Sequence, residues 1–145
     1  MLKCPFDDVL LSDFPGVKLE GFGALETDGA NRWKWALGRE QAMDVAARGT
    51  ECRICYQLNL PREDSEVTIL VNGRERARVT GRRERRVLGF FDIGSGEVLG
   101  GALRFRFRSA HWNEGAGRFA DDGRPLAYSV EKFEIYWRNL GPQVF

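Results

Sequence analysis

Hydrophobic residues recur at every second position through most of this chain. In residues 67–71, VTILV, the side chains of Val67, Ile69 and Val71 share one face. Asn72-Gly73 follows, the strongest short-range signal for a two-residue hairpin turn. The returning arm, RERARVT, sets Ala77 and Val79 inward and Arg74, Arg76 and Arg78 outward. In residues 102–108, ALRFRFR, Leu103, Phe105 and Phe107 oppose Arg104, Arg106 and Arg108. Near the C-terminus Phe133, Ile135 and Trp137 alternate with Lys132, Glu134 and Tyr136. A period of two belongs to antiparallel strands with one buried face. Residues 39–48, REQAMDVAAR, fit either a turn or two of helix or a strand over AMDVA. Many short strands between glycine-rich turns predict an all-β fold. The expected architecture is a single antiparallel β-sandwich, jelly-roll-like, over residues 1–145.

The same alternation decides how a Cys-x-x-Cys motif is read. In residues 51–60, ECRICYQLNL, one face holds Cys52, Ile54, Tyr56, Leu58 and Leu60. Arg53, Cys55, Gln57 and Asn59 take the other. Residues three apart on a strand point to opposite sides of the sheet. Redox pairs sit where a turn opens a helix, and zinc knuckles sit in tight turns. The prediction is therefore Cys52 inward, Cys55 outward and no bond between them. A second Cys pair is missing, and the sequence has one histidine, His111.

Composition adds bounds rather than a function. A chain of 145 residues, 43% hydrophobic and 30% charged, suits one globular domain with a real core. A net charge of +1 gives no general case for nucleic acid or a membrane surface. No apolar run approaches the roughly 20 residues that span a bilayer. The N-terminal MLKCPFDDVLLSDFPG lacks the apolar core of a signal peptide, and three cysteines fit a reducing compartment. The expected location is the cytoplasm.

Three stretches carry candidate chemistry. In GFGALETDGANRWKWALG, residues 21–38, Trp33 and Trp35 share a face if the segment is a strand, and Arg32 and Lys34 take the opposite one. Two tryptophans side by side serve either as core or as a stacking platform for sugar rings; on pattern alone the core reading leads. The second stretch, SAHWNEGAGRFADDGRPLAYSV, residues 109–130, is a long polar loop between two strands. Such loops often carry function on a rigid scaffold. It offers His111, Trp112, Asn113, Glu114, Asp121, Asp122 and Arg124. A catalytic reading needs His111 as a base with a carboxylate orienting it, and no G-x-S-x-G nucleophile motif accompanies it. The third stretch, RERARVTGRRERR, residues 74–86, sets seven arginines against two glutamates. Guanidinium groups could grip phosphate or an anionic glycan there. The absence of interleaved aromatics argues against nucleic acid, and a solvated hairpin guarding its own edge is the plain alternative. GSGEVLGG lacks the strand–loop–helix setting of a phosphate loop.

GFGALE, a short turn and RWKW together resemble the opening signature of a β-sandwich domain appended to bacterial glycosyltransferases and related cell-surface polysaccharide biosynthesis proteins. DGRPLAYSVEKFEI looks like that family's closing signature. The resemblance runs from about residue 19 to 138. It implies that the family's polar positions fall on Glu26, Arg32, Asp122 and Arg124. Those four would either hydrogen-bond sugar hydroxyls, beside a ring stacked on Trp33, Trp35 or Trp112, or form an ion network pinning two loops.

The resulting expectation is a non-catalytic carbohydrate-recognition or accessory module linked to bacterial surface-glycan synthesis. Its ligand would be a glycan held by Glu26, Arg32, Trp33, Trp35, His111, Trp112, Asp122 and Arg124. The alternative is a protein–protein adaptor that docks on a glycosyltransferase or partner subunit through the Arg-rich hairpin or strand edges. An enzyme acting through His111 and Asp122 ranks third. No cofactor, nucleic acid or membrane insertion is expected. Jelly-roll sugar-binding modules often hold a structural calcium, to which Asp121, Asp122 and Glu114 could contribute, but their spacing matches no defined calcium loop.

Overall fold

A computed structural model of the protein describes residues 6–98, 100–115 and 123–138. The strands are β1 (Asp7–Asp8), β2 (Val17–Glu20), β3 (Glu26–Thr27), β4 (Arg32–Leu37), β5 (Glu40–Ala46) and β6 (Glu51–Asn59). They continue as β7 (Glu66–Val71), β8 (Arg74–Thr80), β9 (Arg86–Ile93), β10 (Ala102–Ser109) and β11 (Leu126–Arg138). Residues 39–48 thus resolve as strand: β5 buries Gln41, Met43 and Val45 alternately.

One sheet runs β3-β4-β11-β6-β9, with β1 also on β11; the other runs β2-β5-β10-β7-β8. All pairs are antiparallel, and they nest. The β7–β8 hairpin lies innermost, followed outward by β6–β9, β5–β10 and β4–β11, each pair in the sheet opposite to the last. This is a long hairpin rolled on itself, the defining path of a jelly roll. Its tip is the expected turn: Asn72 and Gly73 both take positive φ, 49° and 84°. The Asn72 amide donates to the Glu97 carbonyl at 2.7 Å, tying the tip to a neighbouring loop.

The core sits between the sheets. Phe133 from one sheet meets Phe105 and Phe107 from the other edge-on, with ring centroids 5.3 and 5.6 Å apart. β6 alternates as its pattern requires, with Cys52 buried and Cys55 half-exposed on opposite faces, both free thiols. The N-terminal segment adds what periodicity did not announce. β1 pairs with β11 beyond the end of β4, and Val9, Leu10 and Leu11 are fully or almost fully buried beneath it.

Two sequence expectations need correction. Arg76 does not face solvent with Arg74 and Arg78. The β7–β8 register slips between Ile69 and Leu70, and Arg76 reaches over the Phe91 ring to the Asp92 carbonyl and to Glu97. A one-residue bulge redirects a side chain in this way. Trp33 and Trp35 are not core either. On β4 it is Ala36 that is buried inward. Trp35 lies opposite Ser129, and Trp33 opposite Glu26, on the outer face of the sheet. Arg32 and Lys34 take the side toward the second sheet, where the N-terminal segment replaces apolar strand residues. Arg32 pairs with Asp8 there at 2.6 Å.

Candidate functional site

The outer face of the first sheet collects side chains from four strands into one row. Opposed residues in antiparallel strands share a face. Trp35 on β4 opposes Ser129 on β11; Ser129 opposes Asn59 on β6; Asn59 opposes Arg86 on β9. The row floors a groove of about 300 Å³ that also takes in Trp33, Asp28, Asn31 and Glu131.

Each polar group in it is held by local structure. The β11 register slips between Val130 and Lys132, so Glu131 is an extra residue in the strand. Val130 and Phe133 both stay in the core while Glu131 turns outward. Arg86 meets its carboxylate with two parallel hydrogen bonds, 2.8 and 3.0 Å. Hydrogen bonding to Glu131 holds the Arg86 guanidinium above its ordinary pKa. The pair fixes a fork of donors and acceptors beside the indoles. At the other end Asp28 closes the turn before β4, accepting from the Ala30 and Asn31 amides at 3.0 and 2.7 Å. Those amides hold its carboxyl below the usual carboxylate range.

Of the residues the sequence singled out, Trp33, Trp35, Glu26 and Arg124 come together. Arg124 donates to Glu26 at 2.9 Å across 98 residues of chain, and Glu26 lies opposite Trp33. Arg32 does not join them, because Asp8 engages it from the N-terminal segment. Asp121 and Asp122 lie outside the described residues.

His111 and Trp112 sit elsewhere. His111 Nε2 is 3.6 Å from Asp64 Oδ2, beyond hydrogen-bond length, over the turn between β6 and β7. Trp112 packs against the core. Its own loop folds over it so tightly that a Cβ on Gly115 would fall 1.6 Å from the indole. It is therefore no open platform. Asn113 anchors the same loop: fully buried, it donates its amide to the Arg124 carbonyl at 3.0 Å and its backbone N–H to Leu126 at 2.7 Å. Among the described residues, no group of three His, Cys, Asp or Glu side chains could hold a metal ion.

Besides Arg76, three of the block's seven arginines are engaged at separate places. Arg78 pairs with Glu75 and Glu66, Arg85 caps the Gly81 carbonyl, and Arg86 belongs to the groove. On β10, Arg106 and Arg108 pair with Asp44 and Glu40 of the neighbouring strand.

Sequence reading missed Asn59, Arg86, Ser129 and Glu131 as partners of the tryptophans. No local motif joins them; only strand order and register do. Their chemistry suits a flat ring with an apolar face and hydroxyls at its rim. Aromatic faces cover the former, and carboxylate, guanidinium and amide groups hydrogen-bond the latter.

No protein-family model and no curated protein matches the sequence. Solved structures do resemble the fold. A two-domain esterase active on acetylated mannans, co-crystallised with mannopentaose, superposes with a TM-score of 0.51 at 14% identity, over 92% of this chain and 36% of its own. A family 35 carbohydrate-binding module from Clostridium thermocellum gives 0.47 at 9% identity, over 84% and 92%. A family 6 module of a laminarinase from Zobellia galactanivorans gives 0.45 at 8%, over 82% and 90%. At such identities the likeness is one of fold alone. Among the described residues no helix is long and apolar enough to cross a membrane.

Proposed function

We propose that this protein is a non-catalytic carbohydrate-recognition module whose sugar site is the groove over Trp33 and Trp35. One observation carries the reading. Two adjacent indoles lie on the outer face of a sheet, where the core does not require them, within a rim of fixed hydrogen-bonding groups. Tryptophans left outside a core commonly mark recognition surfaces. In this reading a sugar ring stacks on the indoles, while Arg86, Glu131 and Asn59 bond its hydroxyls. The Glu26–Arg124 pair borders the Trp33 end. The fold likeness to an esterase active on acetylated mannans is in keeping with a glycan partner.

The resemblance of GFGALE, RWKW and DGRPL to glycosyltransferase-appended sandwiches further suggests service to bacterial surface-glycan synthesis in the cytoplasm, with a glycosyltransferase as partner. Screening the purified protein against a glycan array, with Trp35→Ala alongside, tests the site. Binding by the wild type that is lost in the folded variant is the expected result. Unchanged binding in the variant removes the groove as the site, and no binding to any glycan removes the sugar reading.

A further inference from the structure

Among the described residues four strands end the main strand order of the two sheets, β3 and β9 in one and β2 and β8 in the other, while the two-residue β1 adds only a short edge beside β11. Open edges invite pairing with other chains, and proteins guard them with short length, charge or bulges. Three of the four are guarded. β3 has two residues; β2 has four and carries Lys18 and Glu20. β8 is bulged beside Arg76 and carries Arg74 and Arg78. β9 is different. It runs eight residues, RVLGFFDI, with an uncharged centre, and its Leu88 and Phe90 side chains are 65% and 61% exposed.

The ladder sets which backbone groups of β9 are free. The Leu60 N–H donates to the Arg85 carbonyl at 2.7 Å, and the register from there to Cys52–Ile93 is unbroken. Hydrogen-bonded and non-bonded pairs alternate in such a ladder. The N–H and C=O of Arg86, Leu88, Phe90 and Asp92 therefore point to the open edge. The Asp92 carbonyl obeys this phase but is already taken, since Arg76 donates to it from outside the sheet, so the groups left open to a partner strand centre on Arg86, Leu88 and Phe90.

We infer that β9 pairs with β9 of a second copy, antiparallel about Gly89, to give an isologous dimer with one continuous sheet. The sequence of the strand is self-complementary in that register. Leu88 falls opposite the other copy's Phe90, and Arg86 opposite its Asp92, all on the outer face. Apolar meets apolar twice over by symmetry, and Arg86 and Asp92 flank that centre already neutralised by Glu131 and Arg53 of their own chain, so no unpaired charge opposes the seam. Phe90 is already held for contact: the Arg53 guanidinium stacks on its ring at 4.5 Å and grips Asp92 at 2.8 and 3.1 Å. Gly89 carries no side chain because the Tyr56 hydroxyl lies beneath it, 2.3 Å from where a Cβ would be. If the groove over Trp35 is the sugar site, a consequence resting on that reading follows. The two Arg86 residues lie about 20 Å apart along the joined strands, six residues at about 3.4 Å each. The dimer then offers two grooves on one surface and gains avidity for a polymer.

Sedimentation equilibrium across a concentration series tests the pairing, with Leu88→Lys/Phe90→Lys as the variant. The expected result is a concentration-dependent dimer, weakened about a hundredfold or more in the variant. Circular dichroism of the variant should match the wild type. A wild type that stays monomeric at the highest concentration overturns the inference and leaves the stripe to another protein. A dimer that the variant leaves intact overturns it too. Hydrogen exchange on the wild type guards against a variant that misfolds. Leu88 and Phe90 amides should exchange more slowly in concentrated than in dilute protein, and equal rates count against the pairing.

Discussion

Arg86 grips Glu131 with two parallel hydrogen bonds, Nε to Oε1 at 2.8 Å and Nη2 to Oε2 at 3.0 Å. The carboxylate side chain is 9% exposed and the guanidinium 54%. The acid is thus held by its strand while the arginine lies half in water. A pair this exposed on one side adds little to folding. Its orientation matters more for a ligand, because hydrogen bonds to charged groups contribute about 1.5–3 kcal/mol. Glu131→Gln should therefore lower glycan affinity about ten- to a hundredfold by calorimetry. The denaturation midpoint should barely move. A large loss of stability with unchanged affinity would make the pair a structural clamp.

The four tryptophans should answer a ligand unequally. Trp112 and Trp137 pack against the core, whereas Trp33 and Trp35 line the groove. A bound sugar should shift or quench the emission of the outer pair. Trp35→Ala should abolish most of that response. It should also weaken binding about tenfold or more, given about 1.5 kcal/mol for covering a large apolar side chain. Titrating ligand against fluorescence in wild type and variant checks this, and an unaltered response in Trp35→Ala would place the ligand elsewhere.

Stability has its own polar device between the sheets. The buried Tyr128 hydroxyl on β11 donates to Gln41 Oε1 on β5 at 2.8 Å. The Gln41 amide in turn donates to the Leu37 and Gly38 carbonyls, closing the β4–β5 corner. Tyr128→Phe keeps the ring and leaves Oε1 buried without its donor, a defect of about 1–3 kcal/mol. Urea unfolding should show a lower midpoint with the same slope. Glycan affinity should be unaffected, since neither residue reaches the groove.

Much of the fold is legible because period-two alternation survives in long strands. Val67–Ile69–Val71, Leu103–Phe105–Phe107 and Cys52–Ile54–Tyr56 all face inward as their spacing dictates. The Asn72-Gly73 turn needs two positive φ angles, and its residues supply them. The orientation of β4 was not legible. Its inner end meets Val9–Leu11, an apolar run without periodicity, and that segment lets Arg32 and Lys34 face inward while the tryptophans face out. Arg76 escaped for a similar reason: a single-residue bulge leaves no mark in the local pattern. Glu26 and Arg124 were found through motif likeness, and they do touch. Asn59, Arg86 and Ser129 share a row only through the register of four strands distant in sequence.

Alkaline pH should expose the burial of Cys52. Its thiol ionises near 9.0 ordinarily, and burial pushes it up to about 12 in the fold. Below pH 9 both folded and unfolded chains keep the proton, so this group gives stability no pH dependence. Between 9 and 12 the unfolded chain releases it and the folded chain does not. Stability therefore falls as pH rises, with a slope approaching about 1.4 kcal/mol per pH unit. Cys55, half-exposed on the outer face, is shifted in the same direction by partial burial, and Tyr128 joins above pH 10. The contribution of Cys52 is isolated by comparison with Cys52→Val, which fills similar space and cannot ionise. Urea midpoints measured from pH 8 to 10 should fall more steeply in the wild type than in the variant. Parallel slopes would mean that Cys52 reaches solvent and that the inner face of β6 is misassigned.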